Sequence, residues 1–288
     1  MRRIQKPTLK AIDVFDCCVT GIAEQELANK FSSARAAVDA QFHEYDAKAA
    51  AHALGTFEAC YWGKKQHIII GGLSKGELVD LYTSQMADRA GAGRKYYDQI
   101  LMLAPLGICP FCGFGHASTL DHFLSKSRFP AFSVLATNLI PACKDCNTGK
   151  AASIAGPTGQ MVHPYFESES IHSDAWLFAE VLQTSPATVR YYADPPATWS
   201  ADLRNRTLSY FGELDLARRF SIQAAAEIIE ISELMDALES FNDRKEHLDR
   251  ISQIERTKRK NSWKAPMYEA LAASNWYLAT GHRNEQPY

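Results

Sequence analysis

The feature that most restricts how this chain can fold is a pair of short cysteine motifs, Cys109-Pro-Phe-Cys112 and Cys143-Lys-Asp-Cys146. Each sets two sulfur atoms in a tight turn, and four such sulfurs close a tetrahedral zinc shell with no open coordination position. A closed shell is a structural centre. A redox reading needs a single Cys-x-x-Cys at a helix start in a βαβ setting, whereas both pairs here sit in Gly- and Pro-rich turns. Unmetallated core cysteines are the remaining alternative. The chain has seven cysteines and no secretion signal, which favours metal ligation over a disulfide framework. Cys17, Cys18 and Cys60 then read as small buried hydrophobes. The 30 residues between the pairs exceed the usual zinc-ribbon spacing of about 15 to 20, so the frame must house something further. His116 could replace one sulfur, but beside four cysteines a surface histidine is the simpler expectation.

Around this frame, 288 residues with 46% apolar content suffice for one large domain or two smaller ones. No apolar run reaches the roughly 18 to 20 residues that span a bilayer, and "MRRIQKPTLKAIDVFDCC" has no continuous apolar stretch after its basic residues. A cytoplasmic location without membrane attachment is therefore expected. The net charge of -2 does not advertise nucleic acid or anionic lipid, so any polyanion site must be a local patch.

Helical periodicity dominates the rest. Ile22, Leu27, Phe31, Ala34, Val38, Phe42 and Tyr45 recur at three- and four-residue intervals and predict one or two long helices from Gly21 to about Leu54. Ile68–Ile70 reads as a short strand before a Gly-Gly turn, and Ser74 with Glu77 forms a capping box that opens a helix. A further helix is expected from Arg94 to Ala104. Gly91 and Gly93 lack the preceding strand and third glycine of a nucleotide loop and mark a hinge or helix end. "AWLFAEVL" and "TVRYYADPP" suggest a hairpin. From Ser221 the chain is helical again, with Ile222, Ala225, Ile228, Ile229, Leu234, Leu238 and Phe241 spaced as a buried face. The expected fold is α+β: a helical N-terminal region (1–104), a zinc-bound insert (105–165), and a mostly helical C-terminal region with a short hairpin (166–288).

Between and after the cysteine pairs lie Asp121-His122, Asn138, Asn147 and Lys150. Taken with the cysteines, "LDHFLSKSRFP", "NLIPACKDCN" and "CKDCNTGKAA" resemble two strands and a helix start of the zinc-stapled HNH endonucleases, the ββα-metal class, in the form whose third letter is asparagine. The resemblance covers residues 109 to about 150. It implies metal-dependent hydrolysis of DNA, leaving 5′-phosphate and 3′-hydroxyl ends. It assigns His122 as the base that takes a proton from water, Asn138 as the residue that orients His122 by hydrogen bonding, and Asp121 with Asn147 as holders of one Mg²⁺ or Mn²⁺. The chemistry suits these types: histidine titrates near neutrality, and a carboxylate and an amide oxygen are hard ligands for such cations. Lys126, Arg128 and Lys150 are placed for phosphate contacts, with a solvated face or zinc-knuckle packing as the alternative for Arg128 and Lys150. His163 is a candidate for approach to the metal, or a turn residue before Pro164. The sequence departs from the commonest form at Ser125, where many relatives have proline, a change of loop shape and not of chemistry.

Two other basic clusters, "MRRIQKPTLK" and "RTKRKNSWK" from Arg256 to Lys264 with Trp263, could follow a nucleic-acid backbone or be exposed helix ends. The whole arrangement also resembles nuclease subunits of prokaryotic anti-phage defence systems such as the Septu type, which implies an ATPase or sensor partner. The long helices would then be partner or homodimer surfaces as well as core. The alternatives are a non-catalytic zinc module that binds nucleic acid or a partner protein, and an HNH nuclease acting on RNA.

Overall fold

A computed structural model describes residues 1–61, 63–149 and 160–283. The chain is α+β, mainly helical with three separate two-stranded antiparallel sheets among the described residues, and none of the described helices is long and apolar enough to cross a membrane. It divides into two compact units, Arg2–Glu167 and Ser168–Tyr288.

The first unit opens with helices α1 (Ala11–Thr20) and α2 (Gln25–Ala50). The apolar spacing places Phe31, Ala34, Val38, Phe42 and Tyr45 on the buried side of α2, as the 3.6-residue period requires. Ile22 precedes the helix and Leu27 is half-exposed, so the buried stripe starts one turn later than the sequence pattern suggests. Phe15 of α1 packs against Phe31 and Phe42 at ring separations of 6.0 and 6.4 Å. Strands β1 (Ile68–Ile70) and β2 (Leu73–Ser74) are joined through Gly71-Gly72, and α3 (Lys75–Leu81) starts at the expected capping box. There Ser74 Oγ accepts from the Glu77 N–H, and the Glu77 carboxylate accepts from the Ser74 N–H. Lys30 of α2 reaches the same carboxylate at 2.6 Å, which ties α2 to α3.

A wider helical turn, Tyr82–Ala87, continues α3, and α4 (Arg94–Leu101) follows the glycines. A Cβ on Gly93 would lie 2.5 Å from Cys18 Sγ, and one on Gly91 would lie 2.3 Å from the Gln85 carbonyl oxygen. Close packing at a helix end explains both glycines. Then come β3 (Thr119–His122), β4 (Leu139–Ala142) and α5 (Lys144–Gly149).

The second unit comprises α6 (Ser170–Ser173), the hairpin β5 (Leu177–Leu182) and β6 (Thr188–Ala193), then α7 (Ala201–Glu213), α8 (Leu216–Ala237), α9 (Phe241–Lys258) and α10 (Lys264–Ala273). The hairpin runs in register from Leu177 opposite Ala193 to Leu182 opposite Thr188. Helix α8 lies on β6, with Phe220 5.5 Å from Tyr191 and Ser221 Oγ donating to the Val189 carbonyl. Its buried face is Leu216, Phe220, Ala224, Ile228 and Met235. The predicted face is therefore rotated: Ile228 is buried, but Ile222 and Leu234 are 56% and 43% exposed, and Phe241, already on α9, is 36% exposed. The helix begins at Leu216, and the contacts of Phe220 with Tyr191 and of Ser221 with Val189 set its phase on the hairpin.

Removing the α3 cap by Ser74→Ala should destabilise the first unit by about 1 kcal/mol, read as a lower melting temperature, with the effect reversed in Ser74→Asp.

Candidate functional site

β3, β4 and α5 form a ββα unit within Arg2–Glu167. The hairpin register pairs Thr119 with Ala142, Leu120 with Pro141, Asp121 with Ile140 and His122 with Leu139. Leu120 faces a proline that has no N–H, and directs its own N–H to Tyr97 Oη on α4. Strands of four residues and a six-residue helix cannot bury a core of their own. The four cysteines supply the missing closure.

Cys109, Cys112, Cys143 and Cys146 are buried, and their sulfur atoms all lie within 4.8 Å of one another. A tetrahedral zinc with Zn–S bonds of about 2.3 Å places its sulfurs about 3.8 Å apart, and Cys112 Sγ and Cys143 Sγ are separated by 3.8 Å. Backbone N–H groups already point at the sulfurs, Gly115 to Cys112 at 3.3 Å and Cys146 to Cys143 at 3.5 Å. Hydrogen bonding from Cys109 pulls the Cys143 thiol down to about 6, and the same neighbour drives Cys112 lower still. Cys109 and Cys146 are pushed up by hydrogen bonds to their neighbours, Cys112 and Cys109 first in each case. Full ionisation of all four therefore needs a cation. The donor set and spacing fit a structural zinc; His116 is exposed and stands outside the cluster. Gly115 is required by space, since a Cβ there would meet Cys143 Cβ and Sγ at 2.9 Å.

The N-terminal basic cluster has a structural task at this centre. The Arg2 N–H donates to the Pro110 carbonyl at 2.8 Å, and Arg2 Nε donates to the Gly113 carbonyl at 3.2 Å, so Arg2 braces the first cysteine turn. Lys6 pairs with Asp46 at 2.8 Å. The second basic run is likewise engaged within its own unit: Arg256 pairs with Glu269, Lys264 with Glu227 and Lys258 with Glu255. Asn261 in that run accepts from the Trp176 and Leu177 N–H groups and donates to the Ile171 and Asp174 carbonyls. These contacts favour the structural reading of both clusters. Of the other cysteines, Cys18 is buried and its thiol is pushed up to about 12 by that burial, whereas Cys17 and Cys60 are half-buried.

His122 closes β3 and is 8% exposed; Asp121 is 5% exposed. His122 Nε2 lies 2.8 Å from the Ser133 carbonyl oxygen. A carbonyl only accepts, so Nε2 carries the proton and the basic lone pair of the neutral ring is on Nδ1. Ser133 is in turn held by its Oγ, which donates to the Leu78 carbonyl of α3. The Tyr82 ring packs edge-on to His122 at 4.4 Å, and Lys126 Nζ lies 4.5 Å from the Tyr82 centroid. Burial lowers the Lys126 pKa, with Asp80 opposing the shift. Burial raises the Tyr82 and Tyr45 hydroxyls, and the field of Asp121 adds to both shifts.

Asn147 sits on the first turns of α5, its N–H donating to the Cys143 carbonyl and its Nδ2 to Thr119 Oγ1 at 3.0 Å. Thr119 and Asp121, two residues apart on β3, share a strand face. The amide group of Asn147 thus reaches the Asp121 side of the hairpin.

Asn138 does not orient His122 through its own side chain. Its Nδ2 donates to the Leu124 and Phe132 carbonyls, and its Oδ1 accepts from the Leu124 N–H and Tyr45 Oη. Two N–H groups and two lone pairs are thereby used, and an asparagine side chain has no more to offer. It clamps the chain leaving β3 to Phe132, the residue before the carbonyl that holds His122. His163 is fully buried against Tyr45 Oη at 3.3 Å and the Phe123 ring at 4.0 Å. Arg128 lines an open cavity of about 380 Å³ with Phe57, Tyr61 and His67. Lys150 lies outside the described residues. Sequence reasoning missed Ser133, whose contribution is a backbone carbonyl, and Tyr82 and Tyr45, which carried only a core signal.

No protein-family model matches this chain, and no solved structure matches it. The chain is similar to Protein ea31 of Escherichia phage lambda, 26% identical over 234 residues that span 80% of this chain and 79% of that protein.

Purified protein should hold one zinc per chain by atomic absorption. Gly115→Ala and Cys143→Ser should each lose it and unfold the first unit at lower temperature, whereas Cys17→Ser should leave the zinc content unchanged.

Proposed function

We propose that this chain is a metal-dependent endonuclease of the HNH type that hydrolyses DNA phosphodiesters. The observation that carries the reading is the ββα unit in which the Asp121-His122 step ends one strand, Asn147 lies on the helix against that strand, and four cysteines close the frame. Zinc has a structural part here and takes no step in the reaction.

In the proposed reaction the Nδ1 lone pair of His122 takes a proton from water as its oxygen attacks phosphorus. The bond to the 3′ oxygen breaks, that oxygen gains a proton from solvent, and 5′-phosphate and 3′-hydroxyl ends remain. The Ser133 carbonyl keeps the ring in the tautomer this needs and favours the imidazolium once formed, as does the neighbouring Asp121 carboxylate. Asp121 and the Asn147 amide oxygen are the residues that would hold a Mg²⁺ or Mn²⁺, a hard-oxygen set suited to either. That cation would offset the negative charge developing on the phosphoryl group. Lys126 and Arg128, on the loop after β3, would meet the phosphate backbone. An effector role in anti-phage defence, with an ATPase or sensor partner, is supported by the motif resemblance.

With Mg²⁺ or Mn²⁺ the protein should nick or cut plasmid. His122→Ala should lower the rate by at least about a hundredfold while keeping its zinc, and Asn147→Ala should raise the divalent-ion concentration needed for half-maximal cutting. Assays on plasmid, single strands and total RNA in parallel compare the substrates. Cutting by His122→Ala at the wild-type rate would overturn the assignment, and nucleic-acid binding with no turnover under any divalent ion would establish a binding module instead.

A further inference from the structure

We propose that Tyr45, on helix α2 outside the ββα unit, is a positioning residue for His122, acting with His163 through Asn138. As a statement about catalysis it rests on the nuclease reading above; as a statement about how His122 is held it stands on geometry alone.

The direction of every hydrogen bond in the chain of contacts follows from one end. The backbone N–H of Tyr165 can only donate, and it lies 3.2 Å from His163 Nδ1. Nδ1 is therefore the acceptor, and the proton of the neutral ring is on Nε2. Nε2–H then donates to Tyr45 Oη at 3.3 Å, which leaves the phenol hydrogen to donate to Asn138 Oδ1 at 3.0 Å. Tyr45, Asn138 and His163 are fully buried, so water cannot substitute for a missing partner without cost.

This polarity matches the orientation that backbone groups impose on the Asn138 amide, and Tyr45 fills the second lone pair of its Oδ1. With Oδ1 toward Tyr45 and the Leu124 N–H, Nδ2 must face the Leu124 and Phe132 carbonyls. A reversed amide would set N–H against N–H at Leu124. The amide so fixed joins the end of β3 to the Phe132–Ser133 peptide, and the Ser133 carbonyl is the acceptor for His122 Nε2. Tyr165 also braces the opposite strand, its hydroxyl donating to the carbonyl of Leu139, the residue paired with His122. A tyrosine present only for packing would need a partner for its hydroxyl, but not one that continues into the histidine's own acceptor.

The test uses the full-length zinc-bound protein with ¹⁵N-labelled histidine, the His122 ring signals being assigned through His122→Gln. Tyr45→Phe keeps the ring and removes the hydroxyl. The expected result is a shifted and broadened His122 Nε2–H signal at unchanged zinc content, with kcat for plasmid cutting lowered between about ten- and a hundredfold and KM unchanged. His163→Gln, whose amide can still donate to Tyr45, should keep both readouts close to wild type. His163→Phe, which donates nothing, should repeat the Tyr45→Phe effect and serves where Tyr45→Phe fails to fold. His122 signals in Tyr45→Phe that superimpose on wild type would overturn the proposal. A shifted signal with unchanged kcat would overturn its catalytic part. Absence of cutting by the wild-type protein overturns the nuclease reading, and the spectra then decide the positioning of His122 by themselves.

Discussion

Four sulfur atoms drawn within 4.8 Å are the constraint on which the first unit's central element depends. Two four-residue strands and a single helical turn and a half bury too little apolar surface to fold alone. Joining a turn that precedes β3 to the first turn of α5 fixes both ends of the hairpin at once. The Cys143–Cys146 step is also the start of the helix that carries Asn147. The cysteine cluster thus sets the rotation of α5 relative to β3, and through it the approach of the Asn147 amide to Thr119.

A second constraint works from outside the frame. The loop between Phe123 and Asn138 has little regular structure, yet it must present one carbonyl to His122. Asn138 meets that need by spending all four of its hydrogen-bonding positions on backbone and on Tyr45. The surroundings of the loop come from α2, α3 and the His163–Tyr165 segment. The ββα unit is therefore built into a helical body that completes it, and the apolar stripe of α2 contributes a hydrogen bond from Tyr45 as well as packing.

Much of this architecture was legible in the sequence. The cysteine spacing announced the frame, the three- and four-residue stripe placed α2, and Ser74 with Glu77 marked the start of α3. All three are local rules that neighbouring residues enforce. The phase of α8 was not legible, because the hairpin it docks on selects the buried face and the apolar residues alone allow more than one. At the candidate site, side-chain types pointed to Asp121, His122 and Asn147. The holder of His122 was invisible, since it is a main-chain carbonyl whose position is set by tertiary contacts. In the sequence Tyr45 reads as core, because a stripe of apolar spacing carries no mark of where a polar tip ends. The basic clusters stayed open between two readings for a related reason, because composition shows charge but not its partners.

The contact of Arg2 with the turn at Pro110 and Gly113 spans 111 residues of sequence. Residues so far apart in sequence can meet only across a large closed loop, so this contact depends on the cysteine turn already having its shape. A change that distorts the turn at Cys109 and Cys112 would therefore also release Arg2, and the loss would be felt at a residue far from the cysteines in sequence.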